Sequence, residues 1–316
     1  MGQHSLVNLY PVLHYLGVPL KRVCVTSERK TRLIRRKHPH VMTTTSLGDI
    51  LNDETVKGVF VSASPSAHFS IASQVLKSGK SLFIEKPPCQ TLQELDALIE
   101  LQKLQGDTSV AMVGLQKRYA PAVQILRKRL RKERLANYDL HYLTGGYPEG
   151  DALLDLFIHP IDLAAFLFGK PTILACQQIA HDSCILMLRH PHVVGTLELS
   201  TAYSWTAAEE TLKVCTANGT YKLSKMETLT FEPKHPTVLG IPSEKILHSR
   251  KSIVFLYDRS DFAPTLLNNQ IYSQGYFHEV QAFVSAVEGH CNNILTSMDS
   301  VKNVYETLTQ MQQLKG

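Results

Sequence analysis

Four short apolar runs recur between Arg22 and Leu115, each followed by a stretch with helical spacing. They are Arg22-Val23-Cys24-Val25-Thr26, Val56-Lys57-Gly58-Val59-Phe60-Val61, Ser81-Leu82-Phe83-Ile84 and Val110 to Leu115. Runs this short and this apolar read as buried strands. Strands that alternate with helices over short connections form a mostly parallel sheet with helices on both faces. The series opens on a helix: Leu6, Val7, Leu9, Tyr10, Val12, Leu13 and Leu16 have helical spacing up to Gly17, and Pro11 must kink that helix or lie near its first turn.

The third run ends in Glu85-Lys86-Pro87-Pro88. Pro87 has no N–H for the ladder, so pairing stops there and an acid and a base are left at the strand's carboxyl end. In open α/β sheets ligands bind along that edge. The second run ends in Ser62-Ala63-Ser64-Pro65-Ser66-Ala67-His68, a loop of small residues. The first ends in Thr26-Ser27, with Arg29 and Lys30 close by. In a dinucleotide-binding fold this strand end meets the adenosine ribose. Hydroxyls beside cations suit a 2′-phosphate, so NADP is preferred over NAD; Glu28 is the one residue there that would suit the diol of NAD. Gly2 precedes a helix whose N-terminus could hold a pyrophosphate. The candidate cofactor contacts are therefore Gly2, Gln3, His4, Ser27, Arg29, Lys30, Ser62, Ser64, His68, Glu85 and Lys86.

Beyond Pro121 the rhythm changes. A helix over about 122–134 leads to a strand near 138–143 and the turn Gly145-Gly146-Tyr147-Pro148-Glu149-Gly150. A helix over about 152–168 stops at Gly169-Lys170-Pro171. From Thr172 to Phe231 strand-like runs follow, with Asn218-Gly219 marking a hairpin. Residues 233–269 have no clear assignment, and Tyr276–Val287 and Met298–Leu314 read as helices. The expected fold class is an α/β Rossmann-type parallel sheet over 1–118, lacking its first strand, and an α+β domain with a mainly antiparallel sheet over 119–316. On the helix after the Gly-rich turn, Asp155 and His159 lie four apart and share a face. A carboxylate beside an imidazole suits proton transfer near neutral pH, and Asp162, three residues on, is an alternative partner.

Composition narrows the function classes. The 316 residues are 44% hydrophobic and 19% charged, as globular domains are. The net charge of +5 owes much to Arg127-Lys128-Arg129-Leu130-Arg131-Lys132-Glu133-Arg134. No aromatic residue interleaves that run, which argues for a solvated helix face and against nucleic-acid binding. Six cysteines occur without C-x-x-C spacing, so no metal site is expected. No signal-peptide core and no run of about 20 apolar residues is present, so the expectation is a cytoplasmic location without membrane attachment.

Taken together, these motifs resemble the glucose–fructose oxidoreductase/inositol dehydrogenase (Gfo/Idh/MocA) family. Glu85-Lys86-Pro87, after the Gly79-Lys80 turn, is similar to its E-K-P motif. Ser64 to His68 resembles its loop ending in a histidine near the nicotinamide, and Arg118-Tyr119-Ala120-Pro121 its R-[FY]-x-P junction. Asp155-Leu156-Phe157-Ile158-His159-Pro160-Ile161-Asp162-Leu163 is similar to its D-x-G-x-H-x-x-D-L helix. The resemblance implies hydride transfer between NAD(P) and a sugar, inositol or related polyol. It implies that Lys86 polarises the reacting oxygen, that His159 is the general acid/base and that Asp155 orients them. Arg118 and Tyr119 would shape the substrate mouth beside Asp155 and His159, and a homo-oligomer would form through the C-terminal sheet.

Two departures stand out. Phe157 replaces a small residue between the aspartate and the histidine. Met1-Gly2-Gln3-His4-Ser5 resembles only the tail of the family's G-x-G-x-x-G loop, so the expectation is an N-terminally shortened record of a longer protein. A non-catalytic nucleotide- or partner-binding protein that kept the fold is the alternative.

Overall fold

The computed structural model describes residues 2, 4–106, 109–148, 150–180, 182–246, 252–259, 269–290 and 294–314. Gln3, expected among the cofactor contacts, and Cys291 lie outside them. The chain divides into two compact units, one of Met1–Gln116 with Tyr276–Tyr305, the other of Lys117–Gly275 with Glu306–Gly316.

In the first unit a π-helical turn, Ser5–Leu9, runs directly into α1 (Tyr10–Tyr15), so Pro11 lies inside a continuous helical run close to the junction, where its missing N–H removes one backbone bond. Then come β1 (Arg22–Cys24), α2 (Glu28–Lys37), β2 (Met42–Thr44), α3 (Gly48–Leu51) and β3 (Gly58–Val61). They are followed by α4 (Pro65–Lys77), β4 (Ser81–Glu85), α5 (Leu92–Leu104) and β5 (Ala111–Gly114). Each strand pairing is parallel, as the alternation requires. The described strands form two sheets, however, β1-β2 and β3-β4-β5, where one was expected. No described strand hydrogen-bonds to both β1 and β3. The Arg22 guanidinium, 2.7 Å from the Asp53 carboxylate, ties β1 to the segment that leads into β3. Hydrogen bonds from Thr55 and Arg22 hold that carboxyl far below the usual carboxylate range.

Every residue of β4 is buried, and Leu82, Phe83 and Ile84 have no exposed surface. Burial of each such side chain contributes about 1.5–3 kcal/mol, so β4 is the strand on which the unit's core is built. α5 starts sharply because the Thr91 hydroxyl accepts from Glu94 N at 3.2 Å while the Glu94 carboxylate accepts from Gln90 N at 2.7 Å, in the manner of a capping box.

The second unit holds α6 (Pro121–Leu130), β6 (Leu135–Leu143), a π-helical turn Leu153–Phe157, α7 (Ile158–Phe168), β7 (Thr172–Ala180) and β8 (Ser183–Arg189). β9 (Val194–Ser200), β10 (Glu209–Thr216), β11 (Gly219–Ser224), β12 (Thr228–Pro233), β13 (Thr237–Val238), β14 (Ile241–Pro242), β15 (Val254–Asp258) and α8 (Gln270–Ser273) follow. Eight strands form one sheet in the order β15-β12-β11-β10-β6-β9-β8-β7. Among its described strands only β6 and β9 pair in parallel, so the sheet is mainly antiparallel, and Asn218-Gly219 turns the β10–β11 hairpin. Along β8, Cys184, Leu186 and Leu188 are buried whereas Ile185 and Met187 are exposed; one face of the sheet is core and the other is open.

Two boundaries differ from those read from the sequence. α6 ends at Leu130, four residues before Arg134, and Arg127 lays its guanidinium 4.1 Å from the centroid of the Phe166 ring. Part of the basic run is thus used in packing. The helix α9 (Tyr276–Val287) and the start of α10 (Met298–Leu314) belong to the first unit, although the sequence assigned all residues beyond 118 to the second. The cause is aromatic packing: the Phe283 ring lies edge-on to Phe60 and Phe83, with centroids 5.0 and 5.8 Å away.

Candidate functional site

In the first unit the carboxyl ends of β3 and β4 gather most of the expected cofactor residues. Glu85 is the last residue of β4 and is buried. Its Oε1 lies 2.9 Å from His4 Nε2. The Asn8 amide nitrogen, 3.1 Å from His4 Nδ1, can only donate, so Nδ1 accepts and Nε2 carries the hydrogen given to Glu85. The His4 ring also meets Tyr276 edge-on at 5.7 Å, and the Ser5 hydroxyl donates to Ser62 Oγ at 2.9 Å. The start of the first helix is thereby fastened to the ends of both strands. Gly114 opposite packs closely on it: a Cβ there would lie 3.0 Å from Glu85 Oε2 and 3.3 Å from Glu85 Cα, so Glu85 would have to give by a few tenths of an ångström.

Lys86 follows, joined to Pro87 by a cis peptide. Ser64 is exposed at the N-cap of α4, and Ser27 holds the same place on α2. Arg29 and Lys30 are exposed beside Ser27, with Lys30 Nζ 3.1 Å from Thr26 Oγ1. The Thr31 hydroxyl donates to Glu28 O at 2.7 Å, and the exposed Glu28 carboxylate has Thr31 Oγ1 3.0 Å and Thr45 Oγ1 3.4 Å from its two oxygens. The hydroxyls and cations at 26–30, with the hydroxyls of Ser62 and Ser64 on a second strand end, form a set of hydrogen-bond donors at the carboxyl edge of the strands. His68 departs from expectation. It is 1% exposed and both ring nitrogens face backbone carbonyls, so it supports the loop and does not project from it.

In the second unit Asp155 and His159 are both buried, but Asp155 sits in the π-helical turn and His159 in α7, so the regular α-helical face expected for them is interrupted. Asp155 is positioned from the Gly-rich turn. The Tyr147 hydroxyl donates to its Oδ2 at 3.2 Å, and a Cβ on Gly150 would overlap that oxygen. Asp162, the alternative partner of His159, instead takes the Arg118 guanidinium, with Nε 3.0 and 3.1 Å from its two oxygens. Arg118 is 4% exposed and Tyr119 6%, so both are buried, as Asp155 and His159 are. Next to them Lys117 pairs with Glu210 and lies 4.9 Å from the centroid of the Tyr142 ring. Burial pulls the Lys117 ammonium down, but Glu210 and Tyr142 outweigh it and the net shift is upward.

Tyr147 and the one tryptophan, Trp205, were not read from the sequence as site residues. The indole N–H of Trp205 donates to Gly146 O at 3.0 Å, so the residue next to Tyr147 is the seat of a half-exposed aromatic ring. The Gly145-Gly146 pair was the available signal, since such a pair lets another group approach the backbone closely. Among the described residues no group of three His, Cys, Asp or Glu could hold a metal ion, and no helix is long and apolar enough to cross a membrane.

Residues 11–126 match the oxidoreductase family with an NAD-binding Rossmann fold, GFO_IDH_MocA. Among curated relatives, the UDP-N-acetylglucosamine 3-dehydrogenase of Acidithiobacillus ferrooxidans is 34% identical over 121 residues, 36% of each chain. The inositol 2-dehydrogenase of Salmonella paratyphi B is 27% identical over 129 residues, 39% of this chain and 38% of that one. The matched stretch spans about half the length, or less, of the curated relatives. Levoglucosan dehydrogenase, solved with NADH and levoglucosan, superposes with a TM-score of 0.77 at 16% identity, covering 94% of this chain and 89% of that one. That likeness is one of fold. With the E-K-P strand end inside it, the matched segment, residues 11–126, is similar to the Gfo/Idh/MocA oxidoreductase family.

Proposed function

We propose that the protein transfers hydride between a nicotinamide dinucleotide and a hydroxyl-bearing carbon of a sugar, inositol or related polyol. The observation that carries this reading is the end of β4. A fully buried strand in the matched segment delivers Glu85, already engaged by His4, and then Lys86. The relatives that act on a nucleotide sugar and on inositol supply the substrate class.

The bound dinucleotide would supply the hydride acceptor or donor. Gly2, His4, Ser62, Ser64, Glu85 and Lys86 would hold it at the strand ends, with Ser27, Arg29 and Lys30 at its adenosine end. Oxidising the alcohol requires the hydroxyl proton to leave oxygen as hydride, with its electron pair, leaves carbon. On the family resemblance, His159 would be the general base for that proton and Lys86 would stabilise the alkoxide-like charge on the oxygen. Asp155, which accepts from the Tyr147 hydroxyl, would orient the His159 ring. In the reverse direction His159 returns the proton. Fluorescence titration with NADPH and NADH, followed by turnover on myo-inositol, D-xylose and levoglucosan, tests the reading. Failure to bind either nucleotide overturns it, and binding without turnover on any polyol makes the protein a non-catalytic nucleotide binder.

Within that reading the cofactor is NADP. Ser27, Arg29 and Lys30 would meet the 2′ position, where a hydroxyl and two exposed cations suit a phosphate better than the single acid Glu28 suits a diol. NADPH is expected to bind at least about tenfold tighter than NADH, a difference of about 1.4 kcal/mol, and Arg29→Ala should erase the preference. Equal affinities, or tighter NADH, would reverse this assignment.

The open face of the eight-stranded sheet is proposed to pair with a second copy. Ile185, Met187 and Val194 project from it unburied. Light scattering is expected to give a dimer or larger and to show Met187→Asp shifted towards the monomer. A wild-type monomer would rule the pairing out.

A further inference from the structure

The segment that carries Lys86 cannot hold itself in place. Pro87 and Pro88 in succession have no N–H to donate, so two of the backbone bonds that would stiffen a turn are absent. Its carbonyls are held from elsewhere in the first unit. His68, in the first turn of α4, has Nδ1 2.7 Å from Pro87 O and Nε2 3.1 Å from Ala63 O. Carbonyl oxygens only accept, so the ring is the donor, and a neutral ring serves one of them at a time. From α10 the Tyr305 hydroxyl donates to Cys89 O at 2.6 Å and lies 3.4 Å from Cys89 N. Burial pushes the Tyr305 hydroxyl well up from its ordinary range and the Cys89 thiol to about 12, so the hydroxyl keeps the proton it donates.

We propose that His68 is a positioning residue for Lys86, acting through its Nδ1 bond to the Pro87 carbonyl and linking the loop that follows β4 to the loop that follows β3. The role rests on the hydride-transfer reading above, in which both loops meet the cofactor and Lys86 meets the reacting oxygen. Tyr305 secures the far end of the same segment at Cys89. A displacement of Lys86 by about 1 Å is enough to slow a reaction that depends on alignment by roughly a hundredfold.

The two ring nitrogens can be tested separately. An Asn side chain places its amide nitrogen near the position of Nδ1, and a Gln side chain places its own near Nε2. His68→Asn should therefore keep the Pro87 bond, with kcat within about threefold of wild type. His68→Gln and His68→Leu should lose roughly 10- to 100-fold in kcat with the far-UV spectrum unchanged. Wild-type kcat in His68→Leu overturns the proposal, as does a His68→Asn variant as slow as His68→Gln. If His68→Leu does not fold, the comparison of the Asn and Gln variants alone decides. Hydrogen exchange at the Cys89 and Gln90 amides provides a readout that needs no turnover, and it should quicken in His68→Gln but not in His68→Asn. A wild-type protein that turns over no polyol refutes the hydride-transfer reading, whereas unchanged exchange in His68→Gln refutes the role of His68.

Discussion

Replacing Lys86 or His159 by Ala is expected to lower kcat about 10²- to 10⁴-fold, or about 3–6 kcal/mol of transition-state stabilisation, while the folded structure persists. The two should differ in kind. Lys86 sits on a segment held by backbone carbonyl bonds to His68 and Tyr305, neither of which involves its side chain. Truncating that side chain removes charge stabilisation and leaves the segment in place. His159 is buried in α7, and its loss should also flatten the pH dependence of kcat, because the group that accepts the proton is gone. Steady-state kinetics with NADPH and whichever polyol the wild type accepts would check both. Near-normal rates in either variant would show that the acid–base assignment is wrong. If kcat falls with KM unchanged, the lost interaction is one made in the transition state; if only KM rises, the residue binds substrate without aiding the chemistry.

The fold was legible where apolar runs are continuous. Leu82, Phe83 and Ile84 have no polar neighbour to confuse the period, and β4 falls where they predict. β2 was not foreseen: it is three residues long, and Met42 points outward. α9 was recognised as a helix but assigned to the wrong unit, since nothing in its own sequence says that Phe283 meets Phe60 and Phe83. The candidate site divides in the same way. Lys86, Asp155 and His159 lie in local motifs and could be named from them. Tyr305 and Cys89 are 216 residues apart, and His4 and Glu85 are 81 apart. Such pairings leave no local pattern, because the chain must fold before they exist. Arg118 has a local motif and also a distant partner that the motif does not reveal. A motif marked it, and in the structure it is buried against Asp162, whose carboxylate it neutralises.

That use makes Arg118 the residue whose loss should cost most in stability. Arg118→Met is expected to destabilise the second unit by about 3–5 kcal/mol, because it leaves the Asp162 carboxylate, 2% exposed, without its buried counter-charge. The guanidinium forks over both Asp162 oxygens and lies 5.4 Å from the centroid of the Phe166 ring, so the variant loses charge-assisted hydrogen bonds and ring packing together. Asp162→Leu should be similarly costly by stranding the arginine. The double variant should recover most of the loss, since neither residue then carries a buried charge, and this separates a paired role from two independent ones. Urea unfolding of the four proteins gives the coupling directly. A single-variant loss under about 1 kcal/mol, or a double variant no better than the sum of the two, would mean that Arg118 and Asp162 do not support one another. A folded Arg118→Met enzyme with ordinary kcat but a raised KM would mean that Arg118 also meets substrate, as the motif implied. If kcat and KM both survive in the folded fraction, Arg118 belongs to the architecture that holds α7, and with it His159, in place.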